Sequence, residues 1–270
     1  MCALHLTWRA RGMDQLMNDK NQDMVSIVIP VHNAEPYIAK TIRSILTQTI
    51  SNYEVLLVDD ASTDGSLEKI RLIQDQRLKV LKTQSKHAVG AAAARNRGIE
   101  ASEGRYLAFL DADDLWHPKK LEKTLAHMKK KDAAFVFTGY EFGDQNGSGT
   151  GKIVHVPEVL DYEHALSRTV IFTSTVLFDL TKIDKELIRM PQVKSEDTAT
   201  WWKILRSGYL AYGLDENLTI YRRTGKSLSS NKLEAVRRIW NLYKLQEGMN
   251  FPKRLRCFVG WAVGAVYRRL

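Results

Sequence analysis

Tyr106-Leu-Ala-Phe-Leu-Asp-Ala-Asp-Asp114 is a short apolar run that ends in three carboxylates within four positions. An apolar stretch of this length, without polar alternation, reads as a strand covered on both faces. Carboxylates this close repel one another, and each resists leaving water, so the cluster calls for a neutralising partner. A hard divalent cation such as Mg2+ or Mn2+ takes carboxylate oxygens and bridges to phosphate oxygens. The plain alternative is a solvated acidic turn at a strand end.

Outward from this stretch the same unit recurs. Val25–Val31 is a β-branched run, followed across 34–48 by Ile38, Ile42, Ile45 and Leu46 at helical spacing. Residues 53–58 form a second strand closed by Asp59-Asp60, with a helix over 66–76. A brief strand at 78–81 and an alanine-rich helix over 88–101 lead back to the strand at 106–110. Such alternation over 24–130 predicts an α/β fold: a mainly parallel mixed sheet flanked by helices, with ligands beyond the carboxyl ends of the strands. Those ends carry Asp59, Asp60, Asp111 and Asp113, which places the carboxylates around one crevice.

The second half is less regular. Strands are expected at 133–142, 176–179 and 218–222, with a Gly-rich turn over 143–151 leading into 152–156. Residues 195–207 read as a helix with an acidic first turn, and 231–247 as an amphipathic helix. The expected organisation is a loose extension over 1–23 and one domain over 24–247, divided into a ligand-binding half (24–130) and a more variable half (131–247). A C-terminal helical tail follows over 248–270.

At 270 residues, with 44% hydrophobic and 26% charged, the chain can bury a sizeable core. Its +9 charge resembles a nucleic-acid signal until it is located: residues 222–270 hold 12 Lys/Arg against 2 Asp/Glu, leaving 28 against 29 elsewhere. No nucleic-acid-binding motif accompanies that charge, so no nucleic acid is expected as a partner. Cys2 and Cys257 have neither paired spacing nor a His cluster, which favours a reduced, cytoplasmic compartment. No signal-peptide pattern opens the chain, and no run approaches the roughly 18–20 apolar residues of a membrane span.

Four ordered motifs carry a family resemblance: Ile29-Pro-Val-His-Asn33, Asp59-Asp60-Ala-Ser-Thr-Asp-Gly-Ser66, Ala94-Arg95-Asn96-Arg97-Gly98 and Asp111-Ala-Asp113. Together they resemble the family-2 glycosyltransferases with the Rossmann-like GT-A fold, over residues 24 to about 223. The resemblance implies inverting sugar transfer from a nucleotide-sugar donor, commonly a uridine diphosphate sugar, with Mg2+ or Mn2+ bound.

Carried over by position, Pro30, Val31, Asn33 and Glu35 line the base and ribose. Asp59 contacts the base, and Asp60 lies in the turn beside it. His32 departs from the family pattern and is expected to fill space, with stacking on the base as its alternative. Arg95 pairs with donor phosphate or braces Asp111. Asp111 contacts ribose or metal, Ala112 follows it, Asp113 is the metal ligand, and Asp114 stands behind them. Asp197 matches the general base and Glu196 would orient it or the acceptor, although an acidic first turn is also what a helix dipole favours. At most one of Trp201 and Trp202, about 100° apart on the helix, is expected to stack on sugar, the other being core. Arg222, in the closing Tyr221-Arg222-Arg223-Thr-Gly-Lys-Ser227 segment, reaches the diphosphate.

The same resemblance implies envelope polysaccharide synthesis, such as capsule, O-antigen or teichuronic-type chains, on a saccharide or lipid-linked saccharide acceptor. The tail over 251–270, with cations on both flanks of an apolar centre containing Trp261, suits peripheral contact with the inner face of the cytoplasmic membrane. A helix packed on the domain is its alternative. Two rival functions start from the same residues. A haloacid-dehalogenase-like phosphatase would use Asp111 as nucleophile, but Leu115 stands where its motif wants Thr or Val. A non-catalytic basic scaffold would not need the acidic crevice.

Overall fold

Alternate side chains of the first strand enter opposite apolar layers, Val28 one and Ile27 and Ile29 the other, so the sheet is covered on both faces. The computed structural model describes residues 23–168, 170–223, 232–246 and 248–267. The extension read at the N-terminus lies outside the described residues up to position 22, as do 224–227 of the closing segment and Arg268-Arg269.

In chain order, β1 (Val25–Val31), α1 (Ile38–Leu46), β2 (Tyr53–Asp59), α2 (Ser66–Arg71), β3 (Leu78–Lys82), α3 (Ala91–Ala101) and β4 (Tyr106–Phe109) come first. Next are β5 (Leu115–Trp116), α4 (Lys120–Lys131), β6 (Phe135–Gly143), β7 (Gly149–Val154), β8 (Val159–Leu160) and α5 (Tyr162–Ser167). A 3-10 turn (Thr173–Thr175), β9 (Leu177–Asp179), α6 (Lys185–Ile188), α7 (Glu196–Arg206), β10 (Ala211–Arg222), α8 (Lys232–Leu245) and α9 (Phe251–Tyr267) complete the order.

One sheet runs through both halves in the order β3-β2-β1-β4-β9-β6-β10-β5, with β7 on β6 and β8 on β10. Strands β3, β2, β1 and β4 are parallel, Val31 lying opposite Asp59 and Asp59 opposite Lys82. Strand β9 is antiparallel to both β4 and β6, and β10 is parallel to β6. Two reversals restore the direction, so the carboxyl end of β10 opens at the same sheet edge as those of β1, β2 and β4. Asp59, Asp111 and Arg222 therefore meet at one rim.

The sequence leaves β5, β8, α4, α5 and α6 undelimited, starts α1 and α3 a few residues early, and assigns β10 only its last five residues. The first part of β10 carries Gly213, Asp215 and Glu216 and shifts register between Leu214 and Asn217, which erases its alternation. Helix α3 approaches β1 closely at Gly98, where a Cβ would lie 2.3 Å from Val28 Cγ1. Only glycine fits such packing. The tail forms α9, which packs on α5 and α8 and buries Cys257 and Trp261 in the core. Among the described residues, no helix is long and apolar enough to cross a membrane.

Candidate active site

The acidic turn after β4 is fixed from several sides. Thr41 Oγ1 of α1 donates to the Ala112 carbonyl at 2.8 Å. Ser174 Oγ accepts from Asp111 N at 3.1 Å and donates to Asp114 Oδ2 at 2.6 Å, while Trp116 Nε1 donates to the Ser174 carbonyl at 2.7 Å. Asp114 Oδ1 accepts from Arg222 N at 3.0 Å. Asp114 is thus a buried latch between the turn and β10, and burial, then Asp113 and Asp111, push its carboxyl well above the usual range. Ser174 and Thr41 carry no local sequence signal, because their partners lie 60 to 71 positions away.

Asp113 is half-buried beside the latch. Burial and then the Asp111 charge push its carboxyl up to about 6, against the partial relief of Arg222 and Arg95. Arg222 is only 1% exposed, yet among the described residues its Nε and Nη2 have no hydrogen-bond partner, and its guanidinium lies 4.9 Å from the Tyr37 ring centroid. Burial lowers its basicity, and Asp113 and Asp114 offset part of that cost. Orphaned donors in a buried cation are costly unless an anion takes them.

The oxygens of Asp111 and Asp113 suit a hard divalent cation. Among the described residues no group of three or more His, Cys, Asp or Glu side chains forms a ready-made cage. A Mg2+ or Mn2+ ion would complete its shell with water and ligand phosphate, as that chemistry prefers. The fit is therefore to a shared site.

Arg95, 5% exposed, joins the two halves of the domain: Nη2 donates to Asp111 Oδ1 at 2.6 Å and Nη1 to Glu196 Oε1 at 2.8 Å. Burial penalises its charge, but Asp111 and Glu196 more than offset this and hold it more basic than usual. Both terminal nitrogens are committed to carboxylates, which is the bracing arrangement. Burial raises the Glu196 carboxyl, Arg95 lowers it, and Asp197 raises it again. Asp197 Oδ2 accepts from Thr173 Oγ1 at 3.3 Å, and Oδ1 from Thr198 N at 2.6 Å.

The loops after β1 and β2 are woven together. Asn33 Oδ1 accepts from Thr63 N at 2.8 Å and Glu35 Oε2 from Gly65 N at 3.0 Å. Asp59 Oδ1 accepts from Ser62 N at 3.2 Å, while Asp60 spends its carboxylate on Thr83 Oγ1, Val89 N and Gly90 N. Pro30 is half-buried, whereas the Val31 side chain is buried in the core and its carbonyl accepts from Asp60 N at 2.8 Å. His32, expected to fill space or to stack on the base, donates from Nδ1 to the Asp60 carbonyl at 2.7 Å, since a carbonyl only accepts. Asn33, Ala61 and Ser195 hold positive φ at 49°, 54° and 61°, and such strain in non-glycine residues gathers at functional sites.

One expectation is corrected. Neither Trp201 nor Trp202 faces sugar: Trp201 packs against Phe135 and Phe178, and Trp202 stacks on Tyr243 at 5.1 Å. Helix α7 lies between the sheet and helices α5 and α8, so both rings are core. The aromatic surface beside the site comes instead from Phe172 and Tyr221, half-buried with ring centroids 4.4 Å apart, in a cluster with Tyr140 and Phe142. Phe172 directly precedes Thr173, the partner of Asp197, and Tyr221 directly precedes Arg222.

Comparison with known proteins bears on this arrangement. The family described as Glycosyl transferase family 2 matches residues 26–178. TuaG of Bacillus subtilis (strain 168), named as a teichuronic acid biosynthesis glycosyltransferase, is 40% identical over 250 residues, covering 92% of this chain and 98% of that protein. WfgD of Escherichia coli, a UDP-Glc:alpha-D-GlcNAc-diphosphoundecaprenol beta-1,3-glucosyltransferase, is 36% identical over 220 residues, covering 81% of this chain and 85% of its own. Among solved structures, Staphylococcus aureus TarS 1–349 in complex with UDP-GlcNAc superposes with a TM-score of 0.67 at 20% identity, over 88% of this chain and 71% of that one. The mannosyltransferase PcManGT of Pyrobaculum calidifontis, in complex with GDP-Man and Mn2+, gives 0.68 at 18%, over 92% and 71%. These two likenesses establish the GT-A fold.

Proposed function

The chain belongs to glycosyl transferase family 2, and from that premise we propose that it transfers a sugar, with inversion, from a uridine diphosphate sugar to a hydroxyl of a lipid-linked saccharide during envelope polysaccharide synthesis. The observation that carries the reading is the Arg95 bridge, which gathers Asp111 of the donor-side turn and the Glu196-Asp197 start of α7 around one guanidinium. The UDP donor and lipid-linked acceptor are taken from the names of TarS and WfgD, and the envelope setting from that of TuaG.

In this reading the loops of Asn33, Glu35 and Asp59 cradle the nucleoside, and Arg222 turns its Nε and Nη2, without partners among the described residues, to the diphosphate. A Mg2+ or Mn2+ ion held by Asp111 and Asp113 would neutralise charge building on the departing diphosphate. Asp197 accepts the proton of the acceptor hydroxyl as that oxygen attacks the anomeric carbon from the face opposite the leaving group. Thr173 holds the Asp197 carboxylate, and Arg95 fixes Glu196 beside it. Phe172 and Tyr221 offer the acceptor sugar an aromatic face. Catalysis would occur on the inner face of the cytoplasmic membrane, where nucleotide sugars meet lipid-linked acceptors.

The test is thermal stabilisation by UDP, UDP-glucose and UDP-GlcNAc, each with Mn2+ and with EDTA. A shift that needs both metal and nucleoside diphosphate is expected. Equal stabilisation with and without chelator would contradict the metal role, and no stabilisation by any nucleotide would contradict the donor.

A further inference from the structure

Helix α9 is anchored and amphipathic in an unusual sense, because the face it turns to water is apolar. Its inner face is fixed: Cys257 and Trp261 are buried, Phe258 stacks on Trp261 at 5.7 Å, and Gly260 lets the helix sit against Ser167 of α5. Its outer face carries Phe251, Leu255, Val259 and Val263, at intervals of four residues, exposed by 62%, 47%, 53% and 50%. At 1.5 Å per residue this is a continuous apolar ridge of about 18 Å. Trp261, which the sequence alone offers as an interfacial anchor, is turned inward.

The ridge continues sideways. Val263 and Arg256 form one wall of a groove of about 1110 Å3 whose opposite wall includes Ile153 of β7, Val159 of β8 and Arg168. Ile153 and Val159 are also exposed large apolar residues. Arg168 and Arg256 are exposed, and neither has an ion-pair partner among the described residues. The sequence adds Arg268 and Arg269 directly after the helix. Apolar side chains in a line with unpaired cations at their edges match an anionic bilayer surface, where the ridge enters the acyl boundary and the cations meet headgroups.

We propose that the outer face of α9, with the groove beside it, docks this protein on an anionic membrane surface. The placement suits the chemistry, since α9 packs on α5, and α5 packs on α7, which opens with Glu196 and Asp197. The docking itself rests on the geometry of α9 and stands independently of the transfer reaction.

Flotation of the full chain with vesicles of mixed phosphatidylglycerol and phosphatidylcholine, and of phosphatidylcholine alone, tests it. The full chain is expected to float with the anionic vesicles only, and to be released by high salt. Val259→Asp with Val263→Asp should weaken binding about tenfold or more, and Arg256→Gln about fivefold. Both variants should keep the wild-type circular dichroism spectrum and melting temperature, because Val259, Val263 and Arg256 are all exposed. Absence of flotation, or flotation unchanged by the double variant, overturns the proposal. So does a dimer in solution that the double variant dissociates, which would assign the ridge to a second copy. Binding that emerges only when residues 1–22 are removed would assign the ridge to that segment and also overturn it.

Discussion

Arg95 donates to Glu196 Oε1 across 2.8 Å, tying α3 to the first residue of α7, 101 positions further along the chain. The same guanidinium holds Asp111, so one buried cation sets the spacing between the acidic turn and α7. Removing it should leave two partly buried carboxylates uncompensated.

Arg95→Ala is expected to cost roughly 3 kcal/mol, the low end of the range for breaking a buried pair, because Asp111 and Glu196 keep 24% and 21% of their side-chain surface. Urea denaturation measures this. A loss within experimental error of zero would show that the bridge does not hold the halves together.

Gly98 makes a packing prediction. With Val28 Cγ1 2.3 Å from where a Cβ would be, Gly98→Ala should destabilise by roughly 1–3 kcal/mol. Adding Val28→Ala should recover part of that loss, which calorimetry of the single and double variants would reveal. Additive losses would mean the two residues do not compete for the same space.

The pH dependence follows from Asp113, whose carboxyl is pushed up from 3.8 to about 6 by burial and by Asp111. The folded protein keeps this proton where the unfolded chain has released it, so this group lowers stability as pH rises through that window. The metal-free protein should therefore gain in melting temperature on Asp113→Asn above pH 6 and gain little below pH 4. Mn2+ should stabilise wild type more above pH 6 than below, since protons then cease to compete. The reverse ordering would contradict the assignment.

How much of this was legible beforehand depended on range. The βα units ending in Asp59-Asp60 and Asp111-Ala-Asp113 announced themselves through β-branched runs and local charge. So did the acidic start of α7. The latch of Asp114 on Ser174 and Arg222 was invisible, because the partners lie 60 and 108 positions away and neither Ser nor a backbone N–H marks itself in a sequence. Trp201 and Trp202 follow the same logic: proximity to Asp197 along the chain allows one of them at the site, whereas the faces of α7 are decided by what packs on them, and both are core. Phe172 reaches the site from the start of the 3-10 turn and Tyr221 from the end of β10, two segments far apart in the chain.

Those two rings yield an acceptor prediction. Phe172→Ala should raise the acceptor KM about fivefold, the scale of a lost aromatic contact, and leave UDP binding unchanged. A change in donor affinity alone would move Phe172 out of the acceptor role.

The most direct measurement of the central claim is single-turnover transfer by Asp197→Asn alongside calorimetric UDP binding in Mn2+. Loss of a general base should slow transfer by roughly 100-fold to 10,000-fold, while UDP affinity stays within about twofold of wild type. Turnover near the wild-type rate, with UDP bound equally well, would show that Asp197 does not take the proton.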